Sequence, residues 1–409
     1  MNAGPAQTWL GVGAALSAVT ATVIFIVTGS PAAGAIGFVG TAAATIVAYR
    51  VGVRGILSAL LILLVGPGLL GETSIQNSLI GMLGLLAVCL SYRHSNPTST
   101  GAVLLVVGFI LMPGIGMLST LTPVAAVYGV AATIGGLAMS RPQFADDLLT
   151  GLTWVMGALA ASYAATYFLG QFATPLTTFH IDTRTFALHA PFTITTGGEP
   201  FIPGTRRLTP LTGEPGLAAF YAAPLIAVVF GAGVSVPRRT MTSLVLAALV
   251  IFSQSFATLL AVGGAVSAGI LVVLWRRRHR LFTALLALVV LLVAPAIIGQ
   301  ALDEKAMVAP ASFTDRGIAD LGDASAASFG TINLLVTFGR APVLAATLVV
   351  ALLLGLVYAM RTLAGSLAFL AFATIVIFAQ PSQWHPAAWL LVGLAMRLAE
   401  AKKLGKVNI

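Results

Sequence analysis

From about residue 9 to about residue 399 the chain is a succession of apolar runs, most of them roughly 15 to 21 residues long, separated mostly by short polar breaks. A run of about 20 apolar residues is long enough, as a helix, to cross the hydrocarbon of a bilayer. Inside lipid every backbone N–H and C=O has to be satisfied within the protein, which an isolated helix does by itself. The runs lie at about 9–28, 32–49, 55–71, 75–92, 100–118, 121–139, 149–169 and 215–235, and then at about 240–275, 281–299, 341–360, 363–379 and 386–399. Only 8% of the 409 residues are charged and 58% are hydrophobic, with a mean hydropathy of +1.01. A soluble domain carries charge on about a quarter of its residues, so residues 1–409 are expected to form a single transmembrane helical domain with loops.

Charge placement sets the orientation. The run at 240–275 is too long for one crossing, and it is preceded by Arg238 and Arg239 and followed by "WRRRHR" at 275–280. Basic residues mark the cytoplasmic ends of spans, so this run is expected to cross twice and turn near "SQSFA" at 253–257. The result is an all-α polytopic membrane protein of about 14 transmembrane helices (range about 12–14) with both termini cytoplasmic. In that frame Arg50, Arg54, Arg93, Arg141, Arg238, Arg239, Arg276, Arg277, Arg278, Arg280, Arg361, Arg397, Lys402, Lys403 and Lys406 lie inside, fifteen of the 21 Lys and Arg residues. The net charge of +9 is therefore an orientation signal and not a nucleic-acid footprint. The N-terminal run lacks a basic flank and is expected to be a retained span. Lone Cys89, within an apolar run, excludes an internal disulfide framework and a Cys-based zinc site.

Two long extracytoplasmic loops remain, at 170–214 and 300–340; loops longer than about 12–15 residues are usually functional or disordered. The first holds Arg206 and Arg207 and the second Arg316, cations on the side that the positive-inside rule leaves poor in them. A guanidinium offers a planar fork of donors suited to phosphate; the alternative is a salt bridge to Glu199, Asp182 or Asp315. Glu214, between Gly213 and Pro215 at the start of the next span, is either a working carboxylate or a helix cap. His180 and His189 are candidate bases or ordinary loop residues. His385, between Trp384 and Trp389, belongs to an interfacial aromatic belt. No metalloprotease, nucleophile-elbow or phosphate-loop motif occurs.

An outer loop ending in Arg207, followed by Glu214, Pro215 and Ala219 at the entry to a small-residue helix, resembles the O-antigen polymerase and O-antigen ligase superfamily of bacterial envelope glycan assembly. The layout over residues 150–360 is similar: "SQSFATLLAVGGA" answers the family's serine-rich kink, with Phe256 where an arginine is often found, and Arg316 answers the arginine of the second periplasmic loop. The resemblance implies a fold like that of membrane glycosyltransferases using polyprenyl-linked donors, in a bacterial inner membrane. It implies a metal-independent enzyme with no cofactor and Arg206, Arg207 and Arg316 holding the donor phosphates; Glu214, an acid at the membrane boundary, is the candidate to activate the acceptor, with His189 as substitute. The partners implied are a polyprenyl-diphosphate-linked oligosaccharide and the lipid bilayer, with a chain-length regulator or other polysaccharide-export protein as a further candidate and no nucleic acid. Polymerisation of repeat units is the expected reaction; ligation of the glycan to a lipid or protein acceptor, and transport of lipid-linked glycans, are the alternatives.

Overall fold

The computed structural model describes residues 53–65, 74–92, 100–118, 122–181, 184–196, 205–209, 218–255, 258–276, 281–289, 342–378 and 386–403. The runs expected at about 9–28 and 32–49, and the loop at 300–340, lie outside the described residues. The apolar runs fold as helices: α1 (Val53–Val65), α2 (Ser74–Leu90), α3 (Thr100–Leu105 continuing through Val106–Leu111 and Met112–Leu118), α4 (Thr122–Ser140) and α5 (Pro142–Phe168). After the segment at 170–214 come α6 (Ala218–Phe230), α7 (Val236–Ser253), α8 (Leu259–Arg276), α9 (281–289), α10 (Pro342–Ala359), α11 (Leu363–Phe378) and α12 (Pro386–Lys403). Among the described residues four of these, α5, α7, α8 and α10, are both long and apolar enough to cross a membrane. The protein is therefore a mostly helical, membrane-associated bundle.

Local chemistry explains the irregularities. Pro113 has no N–H and its ring crowds the carbonyl four residues back. The turn before it widens to a π-helix over Val106–Leu111, with the Met112 N–H reaching back to the Val107 carbonyl. The long run at 240–275 divides where expected, because α7 ends at Ser253 and Gln254 adopts a left-handed conformation at φ 45°.

Close packing relies on small residues, as is usual where lipid supplies no hydrophobic drive between helices. Gly151 of α5 lies against Gly55 of α1: a Cβ added at Gly151 would sit 2.1 Å from the Gly55 carbonyl oxygen. Deeper in the bundle Phe109, Phe369, Phe372 and Trp389 from α3, α11 and α12 form one aromatic cluster, with Phe372 and Trp389 edge-to-face at 5.0 Å.

One end of the bundle gathers the charged residues. Arg238 of α7 pairs with Asp146 of α5 at 2.8 Å and donates to the Thr150 hydroxyl. The Tyr92 hydroxyl donates to Asp147, Arg141 donates to the Tyr92 carbonyl, and Arg54 lies over the Tyr92 ring at 5.4 Å. Nearby on α12, Glu400 accepts from Tyr358, Arg361 and Arg397.

The opposite end carries a feature the all-α expectation did not contain. The segment expected as a loop at 170–214 folds in part into a four-stranded antiparallel sheet in the order β1 (Thr177–Ile181), β2 (Arg184–His189), β3 (Thr193–Thr196) and β4 (Arg207–Leu208). The registers pair Phe179 with Phe186, Leu188 with Ile194 and Thr196 with Arg207. The β-branched and aromatic residues of these stretches favour a pleated, half-buried surface over a helix.

Candidate functional site

The sheet is fixed to the C-terminal end of α5 by hydroxyl groups. Ser162 and Thr166, one helical turn apart and so on one face, meet Thr193 of β3 at 2.9 and 2.8 Å. Thr166 also reaches the Ala190 carbonyl at 2.7 Å, and the Phe192 N–H donates to Ser162. These bonds satisfy backbone and hydroxyl groups that would otherwise be buried without partners.

The arginine-bearing stretch 205–209 is held from two helices. The Tyr163 hydroxyl of α5 donates to the Arg206 carbonyl. The Gln254 amide, at the end of α7, donates to the Thr205 hydroxyl at 2.8 Å and lies 3.3 Å from the Arg206 carbonyl and 3.4 Å from the Tyr163 hydroxyl. Stacking of Tyr163 on Phe252 at 4.5 Å, and its contact with Phe172 at 5.1 Å, keep that hydroxyl in place. From this anchored backbone Leu208 enters the hydrophobic core. Arg207, its neighbour on the same strand, is directed to the opposite face of the sheet, since side chains alternate along a strand. Both Arg206 and Arg207 are half-buried.

His189 is fully buried. Its Nδ1 lies 3.0 Å from the Gln171 carbonyl and its Nε2 2.9 Å from the Thr195 hydroxyl, with Phe172 edge-on at 5.4 Å. A carbonyl only accepts, so Nδ1 carries the proton and Nε2 accepts from Thr195. Burial, with a contribution from the Arg206 charge, holds the imidazole below the ordinary histidine range and so neutral, although the Gln171 carbonyl favours the charged form. In this arrangement both ring nitrogens are engaged and His189 ties β2 to β3 and to the turn at Gln171–Ala173.

Of the residues singled out in the sequence, His189 and Arg207 lie on one small sheet, in β2 and β4, with Arg206 immediately before β4 and its charge acting on His189. His180 lies in β1, opposite Thr185. Glu214 and Arg316 lie outside the described residues, as do Phe256, Glu199, Asp182, Asp315 and His385. Sequence reasoning passed over Tyr163, Gln254, Ser162, Thr166 and Thr195. A signal existed for some of them: Ser162 and Thr166 stand at helical spacing near the end of an apolar run, and Gln254 is a lone amide inside the run at 240–275.

No protein-family model, curated protein or solved structure matches the chain.

Proposed function

We propose that the protein is a membrane glycosyltransferase that polymerises oligosaccharide repeats carried on a polyprenyl diphosphate into an envelope or exported polysaccharide. In the proposed frame it has about fourteen spans in a bacterial inner membrane, both termini are cytoplasmic, and the sheet lies on the periplasmic side. The observation that supports this reading is the anchoring of the 205–209 backbone by buried bonds from α5 and α7. A simple connecting loop has no need to be tied to two helices. A strand that must hold guanidinium groups at a fixed height above the membrane does, because prepositioned charge is what stabilises a transition state.

The chemistry follows from the charges. An acceptor hydroxyl attacks the anomeric carbon of the donor; the new C–O bond forms as the bond to the diphosphate breaks, Glu214 takes the hydroxyl proton, and the lipid diphosphate departs. Negative charge builds on the leaving diphosphate, where Arg207, Arg206 and Arg316 meet it. Each charge-assisted bond contributes about 1.5–3 kcal/mol. In this reading Arg207, on the face of β4 opposite Leu208, makes the most direct contact, with Arg206 flanking it on the side of His189. Glu214 is taken as the base and His189, with both ring nitrogens engaged, as a group that positions the sheet.

Purified protein incubated with a defined polyprenyl-diphosphate oligosaccharide tests this. A ladder of products is expected. A single addition to a foreign acceptor would move the protein to ligation, and translocation of the intact lipid-linked glycan without bond formation would make it a transporter.

A further inference from the structure

At the charged end of the bundle a cleft of about 1060 Å³ opens between α6, α8, α10 and α11. Its walls are apolar, with Val272, Leu356 and Leu370 among them, while three guanidinium groups, Arg239, Arg276 and Arg361, line it from separate elements. Arg239 sits in the first turn of α7 and donates to the Gly231 carbonyl at 3.1 Å, so the bond holds it across the cleft wall. Arg276 ends α8. Arg361, in the turn between α10 and α11, is shared with Glu400 at 3.2 Å. Among the described residues neither Arg239 nor Arg276 is ion-paired with a carboxylate, so the cleft carries a net positive charge.

Cations that serve only as orientation signals extend into water. Here three converge on one concave apolar surface, and the combination matches a molecule with an anionic head and a hydrocarbon tail. We propose that this cleft binds an anionic glycerophospholipid, its phosphate between Arg239 and Arg276 and an acyl chain along Leu356 and Leu370. The site lies at the end of the bundle opposite the sheet and is independent of the proposed polymerase reaction. It gives the bundle a preference for membranes rich in anionic lipid.

The test uses the full chain in a neutral detergent and measures binding of fluorescent phosphatidylglycerol and fluorescent phosphatidylcholine. Phosphatidylglycerol should bind and phosphatidylcholine should bind at least tenfold more weakly, on the order expected for the loss of one net anionic charge and its contacts. A basic residue near an anionic lipid is worth about a fivefold change, so Arg239→Ala/Arg276→Ala should lose about thirtyfold in affinity. Arg54→Ala removes a guanidinium from α1, which does not line the cleft, and should leave binding within about twofold. Leu356→Trp keeps every charge, narrows the path of the acyl chain and should also weaken binding, which decides the matter if the arginine variant does not fold. Glycerol 3-phosphate, which has no tail, should not compete. Equal binding of the two lipids, equal loss in the Arg54 control, undiminished binding by Leu356→Trp, or full competition by glycerol 3-phosphate would each overturn the proposal.

Discussion

Gln254 is a residue whose backbone and side chain pull in opposite energetic directions, which makes it a sensitive probe of the sheet-bearing end of the bundle. Its backbone sits at φ 45°, ψ 41°, a left-handed conformation that costs a residue with a Cβ about 1–2 kcal/mol. Its side chain compensates through one well-formed bond to Thr205 at 2.8 Å and two longer contacts of 3.3 and 3.4 Å. One good buried bond and a weak share of two others contribute about 1–2 kcal/mol. Gln254→Ala removes the bonds and keeps the backbone cost, so the 205–209 stretch should be released by about 1–2 kcal/mol. Gln254→Gly removes both terms, and the relief of about 1 kcal/mol should bring it close to the wild type. Hydrogen exchange of the peptide covering 205–209, followed by mass spectrometry on the full chain in detergent, reads the local opening directly. Protection should fall by about 5- to 30-fold in the alanine variant, and by clearly less in the glycine variant. Equal protection in the two variants would mean that the backbone carries no cost at this turn, and unchanged protection in alanine would remove the amide as an anchor.

Four further outcomes are expected. His189 is neutral when folded and its folded pKa is depressed, so as pH falls below about 6.5 the unfolded state takes up a proton that the folded sheet refuses; protection of β2 and β3 should decline through that window, and His189→Gln should flatten the decline. Gly151→Ala should lower the thermal midpoint in detergent because its Cβ meets the Gly55 carbonyl, whereas Gly136→Ala, whose Cβ would stand 3.9 Å from Val106, should leave it unchanged or raise it. In a Cys89→Ser background, a cysteine at exposed Phe192 should react with an impermeant thiol reagent once the outer barrier is opened, and one at exposed Thr240 should not; the reverse pattern would invert the proposed orientation. Arg207→Ala should remove most product with the protein still in the membrane, Arg207→Lys should restore little, and Glu214→Gln should cost about 10²- to 10⁴-fold in turnover with donor affinity retained; near-normal turnover in the glutamine variant would return Glu214 to capping.

Hydropathy located most of the helices, because a segment in lipid has to be apolar and bond to itself. The run at 149–169 is an instructive difference: α5 begins at Pro142 and takes Asp146 and Asp147 into the helix. Hydropathy ends a run at such residues, and only their partners, Arg238 from α7 and Tyr92 beyond α2, make their inclusion affordable. The arginines at this end were legible as orientation signals, but their convergence on one cleft depends on which helices pack together. The sheet was less visible because its strands are two to six residues long, and short strands take their register from what they dock against, here Ser162 and Thr166. For the same reason His189 read as a loop histidine: its burial comes from Gln171, Phe172 and Thr195, three residues whose proximity no spacing rule supplies.

Helix α5 also sets a mechanical limit. Its 27 residues make a rod about 40 Å long, against a hydrocarbon layer of about 30 Å. An unattached rod of that length would lean until its apolar stretch matched the lipid. This one is pinned at one end by Arg238 and Tyr92 and at the other by the hydroxyl ladder to β3. Leaning of α5 against its neighbours would break one set of bonds or the other, so a change in bilayer thickness is met by the surrounding lipid or by the bundle as a whole and not by this helix alone. The distance between the sheet and the charged end is thereby set by the protein and not by the membrane in which it sits.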